Sequence, residues 1–114
     1  VFTWRPTIAQ SPSTNVISVK VEDNGVPSLS ATQSFLVTVI KPAKPSLSNV
    51  GISNQQFTFI INGDSGPDYA IEASTDLENW SSIWTNPSPT PPFQFTDPDI
   101  MNFPRRFYRV RIAP

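Results

Sequence analysis

Four carboxylates in the C-terminal third, Asp76, Glu78, Asp97 and Asp99, are of the residue type that hydrolyses glycosidic bonds when two of them flank a sugar about 5–9.5 Å apart. That chemistry also needs a deep cleft, and their neighbours read otherwise. Asp97-Pro98-Asp99 has turn chemistry, and Asp76 suits a cap or turn position bonded to local backbone. Trp80 and Trp84 lie four residues apart and would share one face of a regular strand, an arrangement that stacks sugar rings when exposed and fills a core when buried. Trp80, close to Ile83, is expected in the core with at least one bulge or bend nearby. Trp84 is the candidate ligand platform. Arg105, Arg106, Arg109 and Arg111 gather charge near the C-terminal end. Arg109 and Arg111 alternate with Val110, so both should face away from a core. There they either pair with Asp or Glu in solvent or meet an acidic glycan or partner protein.

Cysteine and histidine are both absent. Thiol nucleophiles, Ser-His and Cys-His relays and zinc sites built on His or Cys are therefore excluded, as is a general base that titrates near neutrality unaided. With a formal net charge of −1, no long-range field would concentrate nucleic acid or anionic lipid. No apolar run approaches the roughly 20 residues of a membrane span. The opening residues, Val1-Phe2-Thr3-Trp4-Arg5-Pro6, lack the regions of a signal peptide, so any export signal is expected upstream. Neither nucleic acid nor membrane insertion is expected, and an enzyme is not.

The elements that must position these residues are short strands. Thirteen prolines against four glycines, with Val, Ile and Phe in short runs, predict an all-β chain. In residues 15–23, Ile17, Val19 and Val21 alternate with Ser18, Lys20 and Glu22, the period of a half-buried strand. Residues 33–40 carry Phe35, Val37 and Val39 on one face and should pair antiparallel with the first run. A third short strand is expected around Phe2 and Trp4. In Lys41-Pro42-Ala43-Lys44-Pro45 two prolines remove ladder donors and the lysines favour solvent, so it reads as a linker, 41–45, between a module at 1–40 and one at 46–114. The second module should hold about six strands, near residues 47–52, 57–62, 69–74, 80–85, 93–96 and 107–112. A helical turn is conceivable over 75–79. Its predicted core is Phe57, Phe59, Ile61, Tyr69, Ile71, Trp80, Tyr108, Val110 and Ile112.

The stretch Phe2-Thr3-Trp4-Arg5-Pro6-Thr7 with Ile17 to Asp23, Asn24-Gly25-Val26-Pro27-Ser28-Leu29-Ser30 and Phe35 to Val39 resembles the closing half of bacterial putative-Ig and dystroglycan-type cadherin-like repeats. This likeness puts Asp23 where that family has a calcium-ligand aspartate. The companion motifs are missing, and calcium takes about six to eight oxygens, so Asp23-Asn24-Gly25 equally reads as a simple turn. Tyr69 to Trp80, Phe95-Thr96-Asp97 and Arg106-Phe107-Tyr108-Arg109-Val110 resemble a fibronectin-type-III-like module at the C-termini of secreted Verrucomicrobia and Planctomycetes proteins. That resemblance implies an antiparallel immunoglobulin-like sandwich, with Tyr108 bonding nearby backbone in a tyrosine corner. It departs from the family in having no strand-B Trp and little sequence for a strand after Tyr108.

Together these features imply an extracellular or cell-surface structural or adhesive module, acting as a spacer or protein-interaction domain. The alternative is a carbohydrate-binding accessory module of a secreted hydrolase. Expected partners are neighbouring domains of the parent chain, other copies through open sheet edges, or a glycan. No cofactor is expected beyond the calcium that Asp23 raises.

Overall fold

The computed structural model describes residues 1–113, which divide into two compact units, Val1–Lys41 and a second that begins at Pro42.

The first unit is built on one antiparallel hairpin, β1 (Ser13–Glu22) with β2 (Ser30–Val39). Register pairs Asn15 with Val37, Ile17 with Phe35 and Val21 with Ala31, so the alternating apolar residues share one face. Ile17 and Val37 are half-buried and Val39 is buried, while Val19, Val21 and Phe35 stay exposed. The strand expected around Phe2 and Trp4 does not form: residues 1–7 carry no regular structure, and a 3-10 turn follows at Ile8–Gln10. Pro6 has no N–H to give a ladder. The Thr7 N–H donates instead to Oε1 of Gln10 at 2.7 Å, which closes a turn.

The second unit contains two three-stranded antiparallel sheets. One runs β3 (Ser46–Ser53), β4 (Gln56–Asn62), β7 (Phe93–Asp97), and the other runs β6 (Ser81–Asn86), β5 (Asp68–Ser74), β8 (Phe107–Ala113). All six expected strands form, displaced by a residue or so at their ends, which is where strand limits are least defined by pattern. β3 and β4 are joined through Asn54 and Gln55, both at positive φ (52° and 61°), the backbone of a primed hairpin turn whose twist suits the strands. The 75–79 segment is a bend rather than a helical turn, and a 3-10 turn appears instead at Ile100–Asn102.

Phe57, Phe59 and Ile61 of β4 point inward because alternate residues share a face, and they meet Tyr69 and Ile71 of β5. The buried centre is Phe59, Ile61, Tyr69, Ile71 and Phe95, with Phe57, Ile83, Phe93, Tyr108, Val110 and Ile112 packed against it. This all-β double layer is joined by rings: Phe57 stacks on Tyr108 with centroids 4.5 Å apart and planes at 19°. One predicted core residue is misplaced. Trp80 is outside the cluster, and Phe93 and Phe95, absent from the expected set, are in it.

Candidate functional site

Position Trp80 follows from a bulge. In the β5–β6 ladder Ile71 faces Trp84 and Glu72 faces Ser82, so Ile83 is an extra residue. One extra residue shifts the face of everything beyond it. Trp84 therefore turns inward, with its ring 6.0 Å from that of Phe93 and 5.5 Å from that of Phe95. It is still 37% exposed, a rim ring rather than a free platform. Trp80 lies on the outer face, where the Arg109 guanidinium sits 4.3 Å over its ring and its indole N–H donates to the Leu77 carbonyl at 3.2 Å. The two tryptophans do not form one platform.

The outer face of the β6-β5-β8 sheet gathers the strongest polar cluster. Ladder register sets Glu72 opposite Arg109 and Ala70 opposite Arg111. Arg109 Nε donates to Oε2 of Glu72 at 2.5 Å and Arg111 Nε to Oε1 at 2.6 Å. Glu72 is held under the two side chains, 9% exposed, while the arginines are about half exposed at 49% and 50%. The Arg111 hydrogen bond, helped by Arg109 and opposed by desolvation, lowers the Glu72 carboxyl below the usual range. It stays ionised, and two cations face one anion. The expected outward direction of Arg109 and Arg111, and their pairing with an acidic residue, are both found; Glu72 itself was not singled out by sequence reasoning. Its signal was the alternation of Ala70 and Glu72 with inward Tyr69 and Ile71 on the central strand.

A second polar cluster bridges the two sheets at their edge. Tyr108 of β8 donates its O–H to Oδ2 of Asp97 at 2.7 Å, and Oδ1 of Asp97 accepts the Asp99 N–H at 2.9 Å. Arg106 Nη1 is 2.8 Å from the same Oδ2 yet off hydrogen-bond geometry, so this contact is ionic rather than directional. The guanidinium also covers the Phe103 ring at 4.1 Å. Burial, with the Asp97 charge beside it, raises the Tyr108 phenol above its ordinary value. The expected backbone bond of Tyr108 is not made. Tyr69 makes one instead, donating to the Asp64 carbonyl at 2.7 Å. The chain passes so close here that a side chain on Gly63 would collide with the Tyr69 ring.

The remaining carboxylates organise turns. Oδ1 of Asp76 accepts the N–H groups of Glu78 and Asn79 at 2.9 and 2.8 Å, and Oδ2 accepts from the Asn79 side chain at 2.7 Å. Those bonds, Asn79 foremost, hold the Asp76 carboxyl well below its ordinary range. Asp23 likewise uses Oδ1 to accept the Gly25 and Leu29 N–H groups, each at 2.9 Å, which lowers its carboxyl, Leu29 first. Its role in the structure is to close the β1–β2 connection. Among the described residues no three His, Cys, Asp or Glu side chains gather as a metal site. No helix among them is long and apolar enough to cross a membrane.

Fold and sites define an all-β module of several antiparallel sheets. Compared with protein-family models, curated proteins and solved structures, the chain matches none.

Proposed function

We propose that the chain is a non-catalytic structural or adhesive piece of a secreted or cell-surface multidomain protein, acting as a spacer or protein-interaction domain. In this reading the unit from Pro42 is a fibronectin-type-III-like module, and residues 1–40 are part of an immunoglobulin- or cadherin-like one. The observation that carries it is strand order: β3-β4-β7 across from β6-β5-β8, the arrangement of the first six strands of such a sandwich. The chemistry agrees with a scaffold, because Asp23, Glu72, Asp76 and Asp97 are engaged by backbone N–H groups, hydroxyls or guanidinium groups, leaving each a structural task.

The exposed edge of Trp84 supports a second reading, a carbohydrate-binding accessory module. A polysaccharide pull-down with the wild-type chain and Trp84→Ala separates the two. The spacer reading expects no retention of either protein. Retention of the wild type that is lost in the variant transfers the assignment to the accessory module.

A further inference from the structure

Of the asparagines, only Asn24 and Asn62 are followed by glycine. Such a step is the one most open to spontaneous loss of the side-chain amide, because glycine has no side chain to shield its nitrogen and its backbone turns freely. The glycine nitrogen gives up its proton to base and attacks the side-chain carbonyl carbon of the asparagine. The new C–N bond closes a succinimide ring, and ammonia leaves with the returned proton. One water then opens the ring at either carbonyl, leaving an aspartyl or isoaspartyl residue.

The fold treats the two steps differently. Asn62 closes β4 opposite Ser46, its side-chain amide donates to Oγ of Ser48 at 2.9 Å, and Gly63 lies against the Tyr69 ring with no room for a methyl group. Neither its carboxamide nor its backbone can turn without opening the end of a sheet that packs on the aromatic centre. Asn24 lies in the exposed β1–β2 connection, and its carboxamide has no hydrogen-bond partner among the described residues. One contact stands between it and the reaction. The Gly25 N–H, whose proton must be surrendered, donates to Oδ1 of Asp23 at 2.9 Å, beside the Leu29 N–H on the same oxygen. While that bond holds, the N–H points at a carboxylate, and an anion forming on the nitrogen would face the Asp23 charge. The lock is at the surface of a two-stranded unit. Such a hairpin is marginal in water, so the connection opens by local fluctuation far more often than β4 does.

We propose that Asn24 is a site of spontaneous deamidation in the folded protein, that Asn62 is not, and that the Asp23 carboxylate sets the rate by holding the Gly25 nitrogen. The product adds a negative charge beside Glu22 and Asp23. Its isoaspartyl form also inserts a methylene group into the backbone of the connection, altering the spacing on which the Gly25 and Leu29 bonds to Asp23 depend. A spacer and a carbohydrate-binding module would both age at this position, so neither functional reading is at stake.

The test incubates the 114-residue chain in mildly alkaline buffer, with and without denaturing guanidinium chloride. Both asparagines are followed by peptide mass spectrometry with separation of the isoaspartyl peptides. In buffer Asn24 should convert and Asn62 should stay intact, whereas in denaturant both should convert at similar rates. Asp23→Ala should speed conversion at Asn24 several-fold in buffer, with Asn62 still intact and little change in denaturant. Asp23→Asn keeps an accepting oxygen and should stay near the wild-type rate, which separates loss of the lock from loss of the hairpin. Amide exchange along β1 and β2 checks that the hairpin persists in each variant. The proposal is overturned by an Asn24 that converts only in denaturant, or by equal conversion of the two asparagines in buffer. It is equally overturned by an Asp23→Ala protein that reacts at the wild-type rate, or by an Asp23→Asn protein with an intact hairpin that reacts as fast as Asp23→Ala.

Discussion

Glu72 is an ionised carboxylate beneath two guanidinium groups, and that arrangement makes stability depend on pH in a fixed direction. Its folded-state carboxyl titrates below the ordinary value of 4.5, so the folded state binds the proton more weakly than the unfolded chain. The stabilisation is complete above the ordinary value and is lost as pH falls through the lowered one. Asp23 and Asp76 shift the same way, so Glu72→Gln is needed to isolate the contribution. Urea titrations of wild type and variant should show a stability gap that is constant above about pH 6 and narrows below about pH 4. A gap that widens in acid would contradict the pairing. Gly63 is the other single position with a sharp expectation. A methyl group there meets the Tyr69 ring, and Gly63→Ala should destabilise by about 1–3 kcal/mol, the range of overpacking, read by the same titration.

Turns and bulges decide what whole strands present. The β3–β4 turn places Gln55 at φ 61°, where an L side chain is strained by about 1–2 kcal/mol. Replacing it with glycine relieves the strain but loosens the unfolded chain, so Gln55→Gly should stabilise by about 0.5–1 kcal/mol, visible as a higher urea midpoint with unchanged slope. The β6 bulge has the larger consequence, because it separates the tryptophans. Trp84→Ala removes two ring contacts within the double layer and should cost about 2–4 kcal/mol. Trp80→Ala removes a cation-π contact at a half-exposed site, and should cost about 1–2 kcal/mol. Equal losses for both would place them in one environment and contradict the bulge.

On the scale of the molecule, the two units have unequal cores. The unit from Pro42 closes two sheets over a buried aromatic centre, whereas Val1–Lys41 rests on a two-stranded hairpin with Val19, Val21 and Phe35 exposed. A lone hairpin is marginal in water. Native-state amide exchange should therefore be faster in β1 and β2 than in β4 and β5, by orders of magnitude at the slowest sites. Uniform protection along the chain would reveal a cover over the exposed apolar face. EDTA should leave the melting temperature unchanged, since Oδ1 of Asp23 is already engaged by two backbone N–H groups and a cation stabilises only a fold that binds it. A rise of several degrees on adding calcium would refute this.

Alternation alone determined much of this protein. Phe57-x-Phe59-x-Ile61 and Tyr108-x-Val110-x-Ile112 have one physically sensible placement, inward, and the same period sends Arg109 and Arg111 outward. Pro42 and Pro45 likewise make 41–45 poor strand material, because each removes a ladder donor. Asp76, and Asp97 through the Oδ1 that accepts the Asp99 N–H, were legible as turn residues for a local reason, since those partners lie within a few positions. Only the tertiary structure decided what depends on registry and on distant partners. The bulge at Ile83 put Trp80 outside and Trp84 inside, although their spacing had suggested a shared face. Glu72 became the partner of residues 37 and 39 positions away, and Tyr108 found the Asp97 side chain instead of nearby backbone. Period-two patterning fixes a face, but a single inserted residue reverses it, and the pairing of strands across the fold is set by packing that no local window contains.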